Sequence, residues 1–224
     1  MHGGMKIYGF SYSPYVRKVQ LLLDLAGHQY ERIEVPYGDR TELVQVTGGY
    51  LQVPVLVTHA GQVICDSRDI CEHVLVGEVA AQLVPSPYQG AIWAYADFVD
   101  NVLEDLLFRI ATPELADKKA TPGERALFIY IKERKFGPGC VDQWREQRTV
   151  LVARARRLLA PTLQTLAQTP FLFGERPSLA DAALYGNLAM LEGADARHLS
   201  LFSDELEAYM RRLEAEARRR QNAV

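Results

Sequence analysis

Hydrophobic and polar positions change their spacing between about residue 75 and residue 90, and the change divides the chain into two halves. In the first half, short apolar runs alternate with helical stretches. Met5 to Tyr8 reads as a first strand; Val16, Val19, Leu22, Leu23 and Ala26 then recur on one helical face, which Gly27 ends. Tyr30 to Val35 gives a second strand in which Ile33 and Val35 alternate with charged residues, so the opening unit is strand-helix-strand. A polar connection follows. The runs VPVLV at 53–57 and VIC at 63–65 flank the turn THAGQ as in a hairpin, and DSRDICEHVLV starts a helix with Asp66 and Ser67 placed to cap it. The predicted order is βαβ and then ββα.

From about residue 90 the pattern is helical throughout. AIWAYADFVDNVLEDLLFRI reads as one long helix stopped near Pro113, and TPGER at 121–125 restarts one with a proline in its first turn and Glu124 completing a capping box. FGPG at 136–139 is a break. A long helix over about 141–168 carries Pro161, which should kink or divide it. In GERPSLADAALYGNLAML, Ser178 followed by Asp181 marks a helix start, and Gly174 marks a tight approach or a positive φ. SDELEAYMRRLEAEARRR begins acidic and ends basic, as the helix dipole favours. LVPSPYQG at 83–90 is the linker, giving domains at 1–82 and 91–224.

Composition narrows the function. The chain has 224 residues, 48% of them hydrophobic, enough to build a core without staples, and a formal net charge of −3, which gives no general attraction for nucleic acid or anionic lipid. The three cysteines, Cys65, Cys71 and Cys140, have no metal-ligand spacing and suit a reducing compartment; Cys65 and Cys71 read as small buried hydrophobes. No apolar run approaches the roughly 20 residues of a membrane span, and MHGGMK lacks a signal peptide's apolar segment, so a soluble cytoplasmic protein is expected. His28, His59, His73 and His198 have no carboxylate or cysteine at metal spacing and read as solvated or satisfied; no metal is expected.

The candidate chemistry begins at SYSPYVRKV, residues 11–19. Ser13 precedes Pro14, a residue suited to the first helical position, so an ordinary helix cap is one reading of the serine. Asp66 and Ser67 also admit a capping role. Equally, free amides at a helix start attract a carboxylate, a serine hydroxyl adds a donor, and an adjacent carboxylate accepts from an ammonium group.

Four features in this order, SPYVRKV after the first strand, VPVL, DSRDI at a helix start and FLFGERPSLADAALY in the helical half, make the chain resemble a cytosolic glutathione transferase over nearly its whole length. The resemblance implies an α/β thioredoxin-like N-terminal domain and an all-α C-terminal domain that supplies the acceptor pocket. It also implies glutathione as co-substrate, a homodimer and a role in detoxification. By resemblance, Pro54 is a cis proline that exposes the Val53 backbone to the cysteinyl part of glutathione, a strand-addition contact. Asp66 and Ser67 match the pair that holds the γ-glutamyl end, and Gln52 a position that contacts the glycyl end. The family commonly reads Asn-Pro-x-Gly before this segment; this chain reads TGGYLQVP.

Ser13 falls where serine-type members keep a catalytic hydroxyl and cysteine-type members a cysteine. A serine forms no mixed disulfide, so disulfide exchange is a distant third reading. A hydroxyl can donate to the glutathione sulfur and favour the thiolate, with the helix start adding positive potential. Ser11 and Tyr8 are lesser candidates for that role. Tyr12, Tyr15, Trp93, Phe98 and Phe108 are candidates for an acceptor pocket, with plain core as the competing reading. Asp181 is assigned to folding. The expected reaction is conjugation of glutathione to small, electrophilic, partly apolar molecules; isomerisation through a transient adduct and reductive dehalogenation use the same site. The alternative is a transferase-like binding or scaffold protein without catalysis.

Overall fold

A computed structural model of the chain describes residues 4–222, so MHG at the start of MHGGMK lies outside the described residues. In chain order the first half forms β1 (Lys6–Gly9), α1 (Pro14–Leu25), β2 (Glu31–Glu34), α2 (Thr41–Thr47), β3 (Val55–Val57), β4 (Val63–Cys65), α3 (Ser67–Val74) and α4 (Gly77–Leu83). The strands make one sheet in the order β2-β1-β3-β4. β1 and β2 are parallel across the α1 crossover, and β1–β3 and β3–β4 are antiparallel. This is the thioredoxin-like arrangement.

The second half is helical: α5 (Gln89–Phe98), α6 (Glu104–Asp117), α7 (Pro122–Phe136), α8 (Cys140–Glu146), α9 (Arg148–Leu166), α10 (Leu179–Ala194) and α11 (Glu205–Gln221). Among the described residues, no helix is long and apolar enough to cross a membrane.

Successive residues of a strand point to opposite faces, and β1 shows it directly. Ile7 enters the large core shared with α1, α3 and the helical domain, whereas Tyr8 joins a smaller cluster with Phe10, Val35, Leu43 and Val55. Leu43 explains α2. The sheet's second face has to be covered, and one buried leucine on a short helix in the expected polar connection does so. TGG then ends α2: Gly48 and Gly49 take φ of 72° and 126°, and the Thr47 hydroxyl donates to Leu43 O and Tyr50 O.

Both prolines expected to interrupt helices lie inside them. α6 runs through Pro113 to Asp117, and α9 runs through Pro161, so the break in that region falls at Gln147 between α8 and α9. An interior proline costs a helix about 3 kcal/mol. Around Pro113, Ile110, Ala111, Leu115 and Ala116 are all buried, and burial of each large aliphatic side chain returns about 1.5–3 kcal/mol. Tertiary packing therefore outweighs the local rule. The linker is also shorter than expected, since α4 reaches Leu83 and α5 starts at Gln89.

α10 is the axis of the molecule. It is buried almost all round, so LADAALYGNLAML has no solvent face, and it packs most extensively on α1. Its start is held by Asp181, which is fully buried. Asp181 accepts from the Ser178 amide (2.8 Å) and hydroxyl (2.7 Å), the Leu172 amide (2.9 Å) and the Tyr209 hydroxyl (2.8 Å). Those four bonds account for the residue as a folding element. Gly174, at φ 111°, closes a small bridge to Phe171 just before it.

Gly186 on α10 lets the two halves meet: a Cβ there would lie 2.2 Å from Pro14 O and 2.9 Å from Lys18 N. Both obstacles are backbone. Gly186→Ala should therefore destabilise the protein by about 3 kcal/mol, the upper end of overpacking costs. In a chain of this size that is a Tm loss of roughly 6–12 °C. An unchanged Tm in a thermal melt of the variant would show that the helices are not closely seated.

Candidate functional site

Two cavities open beside the start of α1 and share Tyr15, Gln52 and Val53 in their walls. The first, about 470 Å³, is lined by Pro54, Asp66, Ser67, Arg68, Asp97, Asp100, Asn101 and Lys135 as well. The second, about 300 Å³, is flanked by Ser13, Phe10, Tyr12, Tyr37, Phe108, Arg40, Lys132 and Glu104. Both are within the range of small-molecule sites.

All five residues expected to bind a ligand, Gln52, Val53, Pro54, Asp66 and Ser67, line the first cavity. The Val53–Pro54 peptide bond is cis. β3 starts only at Val55, and among the described residues the amide and carbonyl of Val53 pair with no other backbone group, leaving them for an extended ligand. Asp66 caps α3, its carboxylate accepting from the Arg68 amide at 2.7 Å. It does so at φ 75°, the one positive φ of a non-glycine residue among the described residues. Such a conformation costs about 1–3 kcal/mol and is typical of ligand clamps. Here it sets Asp66 and the first turn of α3 at the edge of the cavity.

Ser13 lines the second cavity and is 7% exposed. It caps α1 with extended backbone (φ −73°, ψ 125°), its Oγ accepting from the Val16 amide at a long 3.4 Å. The serine is therefore a cap that also faces a cavity, and its hydroxyl proton donates to no protein atom among the described residues. Pro14 occupies the first helical position. Tyr8 is packed in the smaller core cluster, and Ser11 is exposed with its amide on the Glu34 carboxylate (3.1 and 3.0 Å). Neither lines either of these two cavities.

Among the aromatic candidates, Tyr12, Tyr15 and Phe108 line the second cavity. Trp93 lies instead on an outer groove under the Arg68 guanidinium, 4.0 Å from its ring centre, and Phe98 packs on Tyr95. Cys71 and Cys140 are buried and Cys65 is half-buried; none lines either cavity. His198 departs from expectation. It is buried, with neither ring nitrogen hydrogen-bonded and Nε2 3.8 Å from Glu114, and burial pushes its pKa below the ordinary histidine range. Among the described residues no cluster of histidine, cysteine and carboxylates is placed to hold a metal.

Lys18 was not singled out by its motif, yet it joins the two halves. It is buried on α1, with Nζ donating to Ser67 Oγ (3.0 Å) and to Asp100 Oδ2 (2.6 Å), while Tyr15 donates its hydroxyl to Asp100 O (3.1 Å). Leu21, Leu22 and Leu25 follow it at i+3, i+4 and i+7, the spacing of the buried face. That was the signal for it. Burial raises the Asp100 carboxyl above the ordinary carboxylate range against the pull of Lys18, and its Oδ1 has no partner. Asp100 lines the first cavity, with that unpartnered oxygen buried.

Residues 7–76 match the family model described as glutathione S-transferase, N-terminal domain, and residues 142–218 the one described as glutathione S-transferase, C-terminal domain. Glutathione S-transferase U4 of Arabidopsis thaliana is 28% identical over 137 residues, 59% of this chain and 61% of that protein. A probable glutathione S-transferase of Nicotiana tabacum is 33% identical over 156 residues, 59% of this chain and 70% of that protein. The chain thus spans about three-fifths of the length of the Arabidopsis relative. Among solved structures, a glutathione S-transferase of Ceriporiopsis subvermispora in complex with glutathione shares the fold with a TM-score of 0.79 at 16% identity, over 96% of this chain and 98% of that one.

Removing the Lys18 charge should strand the Asp100 carboxylate. Lys18→Met is expected to cost about 3 kcal/mol in urea unfolding, and much less in an Asp100→Asn background. Equal costs in the two backgrounds would show that the pair is not coupled.

Proposed function

The chain belongs to the glutathione S-transferase family, and from that premise we propose that it binds glutathione in the first cavity and transfers its sulfur to an electrophile held in the second. The observation that carries this reading is the shared wall. Tyr15, Gln52 and Val53 border both cavities, so a peptide laid along Val53 presents its sulfur at the junction where Ser13 stands.

The free amide and carbonyl of Val53 take the cysteinyl backbone as an added strand. The γ-glutamyl carboxylate meets the start of α3, where Ser67 and unpaired amides donate and the helix end is positive. Asp66 accepts from the ammonium group. Gln52 faces the glycyl carboxylate, and Lys135 in the same cavity adds positive charge.

A free thiol ionises near pH 8.5, so only a few per cent is thiolate at neutrality. The Ser13 hydroxyl, unengaged as a donor, gives its hydrogen bond to the sulfur and holds the thiolate. The positive end of α1, which Ser13 caps, adds to that hold. The thiol proton leaves to solvent and the sulfur attacks the electrophile. Because no cysteine borders either cavity, the nucleophile belongs to the co-substrate, and disulfide exchange by a protein thiol has no group to carry it. The cytoplasm and a homodimer complete the proposal on family grounds.

A hydrogen bond to a charged sulfur contributes about 1.5–3 kcal/mol, so Ser13→Ala should lower kcat about 10- to 100-fold while the glutathione Kd from calorimetry changes little. A full rate in that variant would remove the hydroxyl from the mechanism. Ser67→Ala should instead raise the Kd about tenfold, the loss of one charge-assisted hydrogen bond. If the unmutated protein gives no calorimetric signal with millimolar glutathione, the binding or scaffold reading without catalysis replaces this one.

A further inference from the structure

The second cavity carries charge that the transfer chemistry does not use. Arg40 lies over the rings of Phe10 and Tyr37, 4.6 and 5.6 Å from their centres, and Lys132 lies over Phe128 and Phe108 at 4.1 and 5.5 Å. Behind them, Lys119 covers Tyr12 at 3.8 Å and Phe128 at 4.5 Å. Among the described residues, none of these three cations is ion-paired. Arginines elsewhere in the helical domain do find carboxylates: Arg109 has Asp105, Arg148 has Glu114 and Arg220 has Glu216. At the cavity, Arg40 Nε and the Tyr12 hydroxyl are buried polar atoms without partners.

Aromatic faces attract a cation, but they repay desolvation less well than a carboxylate does. We propose that the acceptor taken by this cavity is an aromatic carboxylate, its ring among Tyr12, Tyr37 and Phe108 and its carboxylate against Lys132 and Arg40. The word acceptor rests on the transfer reading; the selection of an anion does not.

The surroundings give the preference a pH dependence. Burial, with repulsion from Lys119, Lys135 and Arg40, pushes Lys132 down to about 8, and burial alone outweighs Glu124 and Glu34 in bringing Lys119 to about 8. Glu104, the carboxylate in the cavity wall, is pushed up to about 7 by burial and by Asp105 and Asp100, against Lys135 and Arg109. The buried hydroxyls of Tyr12 and Tyr37, both raised, stay neutral. Below about pH 7 the wall is therefore cationic with Glu104 neutral. As pH rises past 8, Lys132 loses its charge and Glu104 has gained one. Both changes act against an anion.

The test pairs 4-nitrobenzoate with its methyl ester, which share a ring and carry no halide for the sulfur to displace, and is run without glutathione. Calorimetry at pH 6.5 should show the carboxylate bound at least tenfold more tightly than the ester, the worth of one charge-assisted hydrogen bond. That ratio should fall about tenfold by pH 9 and in Lys132→Met, and should be retained in Lys132→Arg, which separates charge from packing. Equal or tighter binding of the ester at pH 6.5, no binding of either compound, or a ratio unchanged in Lys132→Met overturns the proposal.

Turnover distinguishes this failure from failure of the transfer reading. With 4-chloro-3-nitrobenzoate and its methyl ester, the glutathione sulfur forms a C–S bond at C4, the C–Cl bond breaks and chloride leaves with the electron pair. Conjugation of the ester together with no anion preference in binding defeats the anion inference alone. Preferential binding of nitrobenzoate with neither chloro compound conjugated supports the anion site and defeats the transfer reading.

Discussion

The start of α1 is pinned from both sides, and the rest of the molecule is arranged around that constraint. Beneath it, a Cβ on Gly9 would come within 2.5 Å of Val16, so β1 and α1 are pressed together. Above it, Gly186 admits α10 to the backbone of Pro14 and Lys18. Between these two close approaches, the first turn of α1 has nowhere to move. Ser13 and Lys18 are five residues apart on that turn and the next, and each reaches a different neighbour: Ser13 a cavity, Lys18 the start of α3 and the wall of the helical domain. A preorganised donor acts without reorganisation, which suits the hydrogen bond proposed from Ser13 to a thiolate.

The two cavities differ in physical character although they share a wall. The first is polar, with Asp66, Asp97 and Asp100 set against Arg68 and Lys135, a distribution suited to a zwitterion with charges at both ends. The second is aromatic and carries lone cations. A water-poor wall of rings raises the effect of every charge left within it, so the lysine and arginine there weigh more on a ligand's choice than the same residues on the surface.

What could be read from the sequence was whatever depends on neighbours in the chain. SPYV, VPVL and DSRDI are contiguous, and each encodes its own backbone geometry through a proline or a cap. The residues expected at the site sit within or beside these motifs, and the structure gathers them at the two cavities. The prolines misled for the opposite reason: local chemistry at Pro113 and Pro161 predicts a break, and burial on partners distant in sequence overrides it. α2 left almost no pattern, because a seven-residue helix burying one leucine has no periodicity to detect. Lys132 and Arg40 lie on separate elements some ninety positions apart. Nothing short of the tertiary fold brings them to one cavity.

Between α5 and α6 the helix does not stop; it widens into a π turn at Val99–Leu103, where the Glu104 amide reaches back five residues to Val99 O. Such a turn holds one residue more than an α turn, and each residue advances the face of a helix by about 100°. Asp100 at its start serves the first cavity, while Glu104 just after it and Phe108 one turn on serve the second. The surplus residue thus acts as a phase setting between the walls of the two cavities. Losing it would turn the whole of α6 relative to α5 and present a different side of that helix to the second cavity, with no side chain exchanged.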